Sequence, residues 1–228
     1  MRVGKFVFTR GQNIFPNERL AKARKQILLN TDLVVDIGAN SGDWIKGIRK
    51  GGFFGPAICI EPLKKNYEEL KFQAIPNITY LNCAVGNKNG YIYINQASNN
   101  GLSSSILQMD EYHKKGAPEI IFVGKERVKI KKLSTILHKS KSRKMFIKID
   151  TQGYELEVVK SINKPLWSSI YSFEIEVNLV STYKNSVLIE DLVKFLRKRG
   201  FQPFRVEAGF GLPNFGQQLQ MDILFIKI

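Results

Sequence analysis

The feature that most constrains the fold is the segment 36–43, in which an acidic residue is followed by a glycine-rich turn. The apolar run 33–35 precedes it, and residues 44–50 after it have a helix-like pattern. A strand, an acid, a glycine-rich turn and a helix, in this order, build a nucleotide-sized pocket at the carboxyl edge of an α/β sheet. The sequence therefore predicts such a sheet, with a pocket directly after its first strand.

A second acid supports this interpretation. Glu61 ends the β-branched run 58–60 and stands 23 residues after Gly38, a spacing at which a carboxylate receives ribose hydroxyls. The turn is not a full dinucleotide fingerprint, because Gly38 and Gly42 are separated by three residues and have no third glycine. It also begins with Asp36, whose carboxylate would repel a pyrophosphate. We therefore expect a cofactor with a cationic end and no phosphate, such as the amino acid end of S-adenosylmethionine.

Strand-like and helix-like segments alternate along most of the chain. The predicted strands of the main sheet cover residues 33–37, 57–61, 78–84, 145–150, 170–177, 201–206 and 221–226. The predicted helices cover residues 17–30, with Asn17 as the cap, 43–50, 62–74, 155–162 and 187–199. Weaker patterns predict strands at 91–94 and 126–131, a polar loop at 96–105 and a helix at 133–137. This alternation, with two terminal strands, predicts a three-layer α/β sandwich that ends in an antiparallel pair.

Length and composition limit the class of protein. A chain of 228 residues is long enough for one domain with a full core. No apolar run reaches the roughly 20 residues of a membrane span, and residues 1–10 lack the apolar core of a secretory signal. Both cysteines, Cys59 and Cys83, fall in predicted strands, which predicts buried free thiols. We therefore expect a cytoplasmic protein without a transmembrane segment.

The positive charge is concentrated in two segments. The net charge is +15, and residues 1–30 carry seven Lys/Arg against one acid, while residues 113–148 carry twelve against two. A solvated lysine-rich surface explains this as well as an anionic partner does. The partner would be a sugar phosphate, a lipid-linked saccharide, the inner membrane surface or nucleic acid. The two histidines, His113 and His138, lie in the second segment and are predicted to be surface residues.

Four sequence blocks resemble the FkbM family of S-adenosylmethionine-dependent methyltransferases. They cover residues 34–42, 60–67, 101–106 and 147–155, and residues 221–225 are similar too. The first block marks only the broad methyltransferase class, whereas the Lys-Ile-Asp-x-x-Gly-x-Glu pattern of the fourth points to this family. Family members usually carry an acid where this chain has Gln152, and Leu-Asp where it has Leu133 and Ser134.

The resemblance implies a class I, Rossmann-like fold with a mostly parallel seven-stranded sheet and a C-terminal antiparallel hairpin. It covers residues 33–228, which leaves residues 1–32 as a basic helical extension. The residues predicted to bind the cofactor are Asp36, Gly38, Ala39, Asn40, Gly42, Glu61, Asn82 and Ala84. Structural roles are the alternative for two of them, since Asp36 suits a turn and Glu61 suits a cap beside Pro62.

Three acids are candidates for catalysis. Asp150 ends a predicted strand at the sheet edge that also carries the cofactor turn, where it would act as a general base or as one ligand of a divalent ion. Glu155 begins the next helix, where an acid also favours the helix dipole. Glu176 lies near the end of the following strand, and an acid on an interior strand is costly unless that face opens to a pocket. The serines at 103–105 form a polar loop that is a further candidate for ligand contact.

The function implied by the resemblance is O-methylation of a hydroxyl on a saccharide or natural-product scaffold, with an anionic or lipid-linked acceptor as one option. Two alternatives use the basic segments. One is an RNA methyltransferase, although the strand end at Asp150 lacks the proline-rich turn of base-amine methylases and few aromatic residues interleave the cations. The other is a non-catalytic binding module or membrane-surface adaptor. Metal dependence, the acceptor and the oligomeric state stay open.

Overall fold

The computed structural model describes residues 18–140, 143–212 and 214–228. The predicted cap Asn17 and most of the basic extension lie outside these ranges. The strands are β1 Leu33–Ile37, β2 Ala57–Ile60, β3 Ile78–Leu81, β4 Ala84–Val85, β5 Gly90–Ala97, β6 Phe122–Lys131, β7 Met145–Ile149, β8 Ile170–Asn178, β9 Phe201–Ala208 and β10 Gln220–Lys227. The helices are α1 Glu18–Leu28, α2 Asp43–Lys50, α3 Lys64–Phe72, α4 Glu111–Gly116, α5 Leu133–Ile136, α6 Glu155–Lys160, α7 Lys164–Ser169 and α8 Ile189–Arg197.

Seven strands form the main sheet in the order β3-β2-β1-β7-β8-β10-β9. The first five of these strands pair in parallel, whereas β10 runs antiparallel to both β8 and β9. All five residues of β1 are buried, as expected for a central parallel strand that is covered on both faces. The predicted mostly parallel sheet with a C-terminal antiparallel hairpin is confirmed.

Helices cover both faces of the main sheet. On one face, α5, α6, α7 and α8 pack with side chains such as Val35 and Ile147. On the other face, α1, α2 and α3 pack with side chains such as Val34 and Phe146. Because successive strand residues point to opposite faces, neighbouring positions in β1 and β7 belong to different cores. The result is the predicted three-layer sandwich, and no helix within the described ranges is long and apolar enough to cross a bilayer.

A second sheet was only partly predicted. It has the order β4-β6-β5, with β4 parallel and β5 antiparallel to β6. The strand predicted at 78–84 is therefore wrong as one element, because the chain leaves the main sheet after Leu81 and joins the second sheet at Ala84. β5 also extends into the predicted polar loop, and β6 begins four residues before its predicted start. The inner face of this sheet packs through Ile94, Val128 and Ile130 against Leu63.

Candidate functional site

A pocket opens at the carboxyl ends of β1, β2 and β7, where the sequence predicts it. Its empty volume is about 660 Å³ when the adjoining space open to solvent is counted. The lining residues are Ile37, Gly38, Asn40, Ile60, Glu61, Pro62, Leu63, Cys83, Ala84, Val85, Ile94, Gly101, Leu102, Ser104, Ser105, Ile106, Asp150, Thr151 and Gln152.

The turn after β1 is held close to β2. The backbone N–H groups of Gly38 and Ala39 both donate to the carbonyl oxygen of Ile60, at 3.0 and 3.1 Å. Gly38 has a φ of 79° and Gly42, the N-cap of α2, has a φ of 82°, a region in which a side chain is strained. The glycines therefore allow the chain to reverse at the sheet edge and to start α2 beside the pocket.

Glu61 lies at the centre of this hydrogen-bond network. Its Oε2 accepts from the backbone N–H of Asn40 at 2.8 Å, and its Oε1 accepts from that of Leu63 at 2.9 Å. Burial raises the pKa of the Glu61 carboxyl to about 7, although these two backbone donors act to lower it. Each carboxylate oxygen keeps a further lone pair, so Glu61 can accept additional hydroxyl donors from a ligand in the pocket.

A loop between β5 and α4 closes one side of the pocket. The carbonyl oxygen of Asn100 accepts from the side-chain amides of Asn40 and Asn66, at 3.2 and 2.7 Å. Gly101 follows with a φ of 77°, and a side chain on it would meet Leu63 and Asn66. This loop is thus fastened to both the β1 turn and α3, and it brings Leu102 and Ile106 to the pocket wall.

The residues after β3 contribute in different ways. Ala84 lines the pocket. The side-chain amide of Asn82 instead donates to the carbonyl oxygens of Glu61 and Pro62, at 3.0 and 2.9 Å. Asn82 therefore fixes the backbone that carries Glu61.

Asp36 lies on the α1 side of the main sheet, outside the set of lining residues. It is fully buried, and its Oδ1 lies 3.7 Å from Nζ of Lys148 on the neighbouring strand. Neither carboxylate oxygen accepts a hydrogen bond from the described residues. Burial raises the pKa of Asp36 to about 6, and the ammonium of Lys148 partly offsets this. Asp36 therefore contacts the side chain of Lys148, which is 11% exposed, beneath the turn.

Asp150 and Glu176 are joined through Gln152. The side-chain amide of Gln152 donates to Asp150 Oδ1 at 2.6 Å and to Glu176 Oε2 at 2.9 Å. The Oε1 atom of Gln152 accepts from the Tyr183 hydroxyl at 2.8 Å. Lys148 Nζ lies 3.2 Å from Asp150 Oδ2, and the Asp150 side chain is 32% exposed. This places an accessible carboxylate at the pocket, positioned on one oxygen by an amide and on the other by an ammonium.

Glu155 organises the turn that follows β7. Its Oε1 accepts from the backbone N–H groups of Thr151 and Gly153, both at 3.0 Å, and from the Thr151 hydroxyl at 3.1 Å. Gln152 and Gly153 have positive φ values of 56° and 98°. Burial raises the pKa of Glu155 to about 7. The carboxylate of Glu155 is therefore directed into a tight turn and holds Asp150 and Gln152 in place.

Of the eleven residues predicted to bind the cofactor or to act in catalysis, five lie on the pocket wall and six do not. The five are Gly38, Asn40, Glu61, Ala84 and Asp150. The six that do not line the wall are Asp36, Ala39, Gly42, Asn82, Glu155 and Glu176. Of the serine loop 103–105, Ser104 and Ser105 also lie on the wall. The lining residues that sequence reasoning missed include Leu63, Ile94, Ile106, Thr151 and Gln152. Ile94 could have been predicted to face the interior, because it belongs to a predicted strand in which aromatic and apolar residues alternate.

The predicted surface location of His113 is wrong. His113 is fully buried, with its ring centroid 5.2 Å from that of Tyr183 and 5.5 Å from that of Phe210. His113 lies on α4, a helix that was not predicted because basic residues dominate the sequence of this region. His138 is exposed, as predicted. Among the described residues, no three His, Cys, Asp or Glu side chains are grouped so that they could hold a metal ion.

The strand order and the antiparallel C-terminal pair match the Rossmann-like fold of methyltransferases. The methyltransferase FkbM domain matches residues 36–203, well over half of the chain. The chain therefore belongs to the FkbM methyltransferase family. No curated protein matches it in sequence.

Solved structures share the fold at low sequence identity. One is an rRNA methylase from Streptococcus thermophilus, with a TM-score of 0.51 and 10% identity, covering 98% of this chain and 99% of that one. A second, from Listeria monocytogenes, is described as an S-adenosylmethionine dependent methyltransferase, with a TM-score of 0.50, 11% identity and coverage of 93% and 100%. At these identities the likeness concerns the fold alone.

Proposed function

We propose that the protein is an S-adenosylmethionine-dependent O-methyltransferase that acts on a hydroxyl of a saccharide or natural-product scaffold. The observation that carries the proposal is the shared pocket of Glu61 and Asp150. One buried carboxylate with spare lone pairs and one accessible carboxylate both line it. Together they suit a ribose-bearing cofactor and a hydroxyl that must lose a proton.

The acceptor oxygens and the apolar side chains of the pocket support S-adenosylmethionine as the cofactor. Glu61 would accept the ribose hydroxyls, since both of its oxygens have lone pairs beyond those used by Asn40 and Leu63. The apolar side chains of Leu63, Ile94 and Ile106 line the same pocket and suit an adenine face. When bound, S-adenosylmethionine supplies an electrophilic methyl group.

The chain itself then has to align the acceptor and receive its proton. Alignment of two bound reactants contributes about 7–11 kcal/mol to lowering such a barrier. Asp150 is our candidate base, because a base must lie within one hydrogen bond or one water of the proton it takes. Gln152 and Lys148 fix the two oxygens of Asp150, and Glu155 fixes the backbone turn beside it. Glu176 would act through Gln152 as a positioning residue.

Calorimetric titration of the pure protein with S-adenosylmethionine and S-adenosylhomocysteine tests the cofactor part of the proposal. We expect saturable heat with both, and a protein that binds neither would refute it. The acceptor part is tested by transfer of radiolabelled methyl groups to glycan, lipid and RNA fractions of a cell extract, with and without EDTA. Label in the glycan fraction or in a small hydroxylated product is the expected result, whereas label confined to nitrogen or carbon atoms contradicts O-methylation.

A further inference from the structure

The outer face of the second sheet combines cations with exposed aromatic rings. We call it the cationic face, and its residues are Tyr91, Tyr93, Lys125, Arg127, Lys129 and Lys131. Tyr91 and Tyr93 are 53% and 60% exposed, and the four cations are exposed as well. Burial of large aromatic side chains is favourable, yet here two of them stand exposed among four cations.

Because side chains alternate along each strand, the apolar side chains and the cations of this sheet lie on opposite faces. In β5 and β6 the apolar side chains of Ile94, Val128 and Ile130 are buried on the inner face. Glu126, the acid of β6, lies with them and accepts from the backbone N–H of Lys64 and the amide of Gln96. The cationic face is thereby left without a carboxylate from its own two strands.

The two strands are in a register that places rings beside cations. Tyr91 pairs with Lys129, and Tyr93 pairs with Arg127. The guanidinium of Arg127 also lies over the ring of Tyr91, 4.2 Å from its centroid, as a cation–π contact. The face therefore presents alternating flat π surfaces and charges.

The charge on this face is not neutralised within the described residues. None of Lys125, Arg127, Lys129 and Lys131 forms an ion pair there. Cations that alternate along one strand stand about 6.7 Å apart and repel one another. A partner that carries regularly spaced negative charges would remove this repulsion.

We propose that the cationic face binds single-stranded RNA. Spacing of about 6.7 Å along β6 suits successive phosphates of an extended strand, while Tyr91 and Tyr93 supply stacking surfaces for bases. Phenolic hydroxyls can also exchange hydrogen bonds with ribose 2′-hydroxyls. This surface cannot be recognised from the basic segment 113–148 by itself, because both tyrosines precede that segment in the sequence. They lie beside its cations only through the pairing of β5 with β6.

Tyr91 and Tyr93 point to the face opposite to Ile94, which lines the cofactor pocket from the inner face of the second sheet. The cationic face would therefore anchor RNA rather than present it directly to Asp150. The inference does not depend on methyl transfer, since RNA binding and cofactor binding are measured separately on the same protein.

The test is fluorescence anisotropy with a labelled oligouridylate of about twelve nucleotides, within the site sizes of single-strand binders. Tyr93→Ala is expected to weaken binding about tenfold, with little effect on the salt dependence. The double variant Lys125→Gln/Lys129→Gln is expected to weaken binding and to reduce the slope of log K against log salt by about 1.4. All six side chains are exposed, so these variants should keep the wild-type melting temperature.

Two matched control variants remove the same kinds of side chain from other parts of the surface. Lys65→Gln/Lys71→Gln removes two exposed cations of α3, and Tyr112→Ala removes a partly exposed ring of α4. Both should bind RNA as the wild type does. The proposal is overturned if wild-type protein does not bind the RNA, if the controls lose as much affinity as the test variants, or if DNA of equivalent sequence binds equally well. It is also overturned if anionic phosphatidylglycerol vesicles bind through the same lysines and Tyr93→Ala has no effect on the RNA.

Discussion

The backbone carbonyl of Asp150 occupies the space that a Cβ atom on Gly38 would need. The turn after β1 and the turn after β7 therefore touch through their main chains. A methyl group at position 38 would have to push them apart, and Gly38 also has a φ of 79°. The two halves of the candidate site are set at a fixed distance by the absence of one side chain.

Gly38→Ala is accordingly expected to lower the free energy of unfolding by roughly 2–5 kcal/mol, from backbone strain and overpacking together. Gly47→Ala is the matched control, because Gly47 lies inside α2 with nothing near its missing Cβ. That change should stabilise the protein by up to about 1 kcal/mol. Urea unfolding midpoints measure both, and a Gly38→Ala midpoint equal to that of the wild type would contradict the close approach.

Glu61→Ala should weaken S-adenosylhomocysteine binding at least tenfold. Hydrogen bonds to a charged group are worth about 1.5–3 kcal/mol each, and the two backbone donors of Asn40 and Leu63 also lose their acceptor. Calorimetry provides the measurement. Glu69→Ala, a change at an exposed acid of α3, should leave the affinity unchanged, and an equal loss in both variants would rule out the assigned role.

Asp150→Asn is expected to reduce turnover by about 10²–10⁴-fold, the usual contribution of a general base. Affinity for S-adenosylhomocysteine should stay near that of the wild type, because Asn keeps the shape of the side chain. Single-turnover methyl transfer and calorimetry separate the two effects. Asp191→Asn, at an exposed acid of α8, serves as the control, and an Asp150→Asn enzyme with full turnover would show that another group takes the proton.

Gln152→Glu would place a third carboxylate between Asp150 and Glu176 and remove both amide donors. We expect a loss of roughly 1–3 kcal/mol in stability at pH 8. The loss should shrink at pH 5, because a protonated carboxyl can donate to one of its neighbours. Gln152→Met removes the donors without adding charge, so its stability loss should vary less with pH. Thermal melts at the two pH values distinguish the variants, and a pH-independent loss in Gln152→Glu would contradict the bridging role.

Glu155 should make the folded protein less stable as the pH rises. Its pKa is about 7 in the folded chain against a reference value of 4.5, so the folded state binds more protons than the unfolded state between these values. Stability linked to this group is present below pH 4.5 and is lost as the pH approaches 7. Glu155→Gln should therefore show a shallower decline over that window in urea unfolding at stepped pH. Parallel curves for the variant and the wild type would refute the assignment.

The centre of the main sheet was predictable because β1, β2 and β7 are short apolar runs that are almost entirely buried. The second sheet was harder to predict, because β4 pairs with the far end of β6, Ala84 with Ile130, and no local pattern reports a contact so distant in sequence.

The face of the sheet to which the Asp36 side chain points could have been predicted from the sequence. Strand alternation places it on the face opposite to Val35 and Ile37, beside Lys148 two positions before Asp150.

The turn-holding contacts of Glu155 could not be read from the sequence. An acid at the start of a helix has the same pattern whether it serves the helix dipole, catalysis or a turn. Only the position of its Oε1, within reach of two backbone N–H groups and one hydroxyl, favours the turn. Gln152 was recognised as a departure from the family pattern. Its two carboxylate partners, one directly after β7 and one on β8, are brought together only in the assembled sheet.

The two buried cysteines have a practical consequence. Cys83 is 3% exposed on the pocket wall, whereas Cys59 is fully enclosed in the core beneath α2. Burial raises the pKa of both thiols, so neither offers much thiolate to an alkylating reagent while the chain is closed. Alkylation of Cys83 thus reports opening of the pocket and alkylation of Cys59 reports opening of the core. The alkylation rates of the two thiols therefore measure the local and the global opening of the protein without any added label.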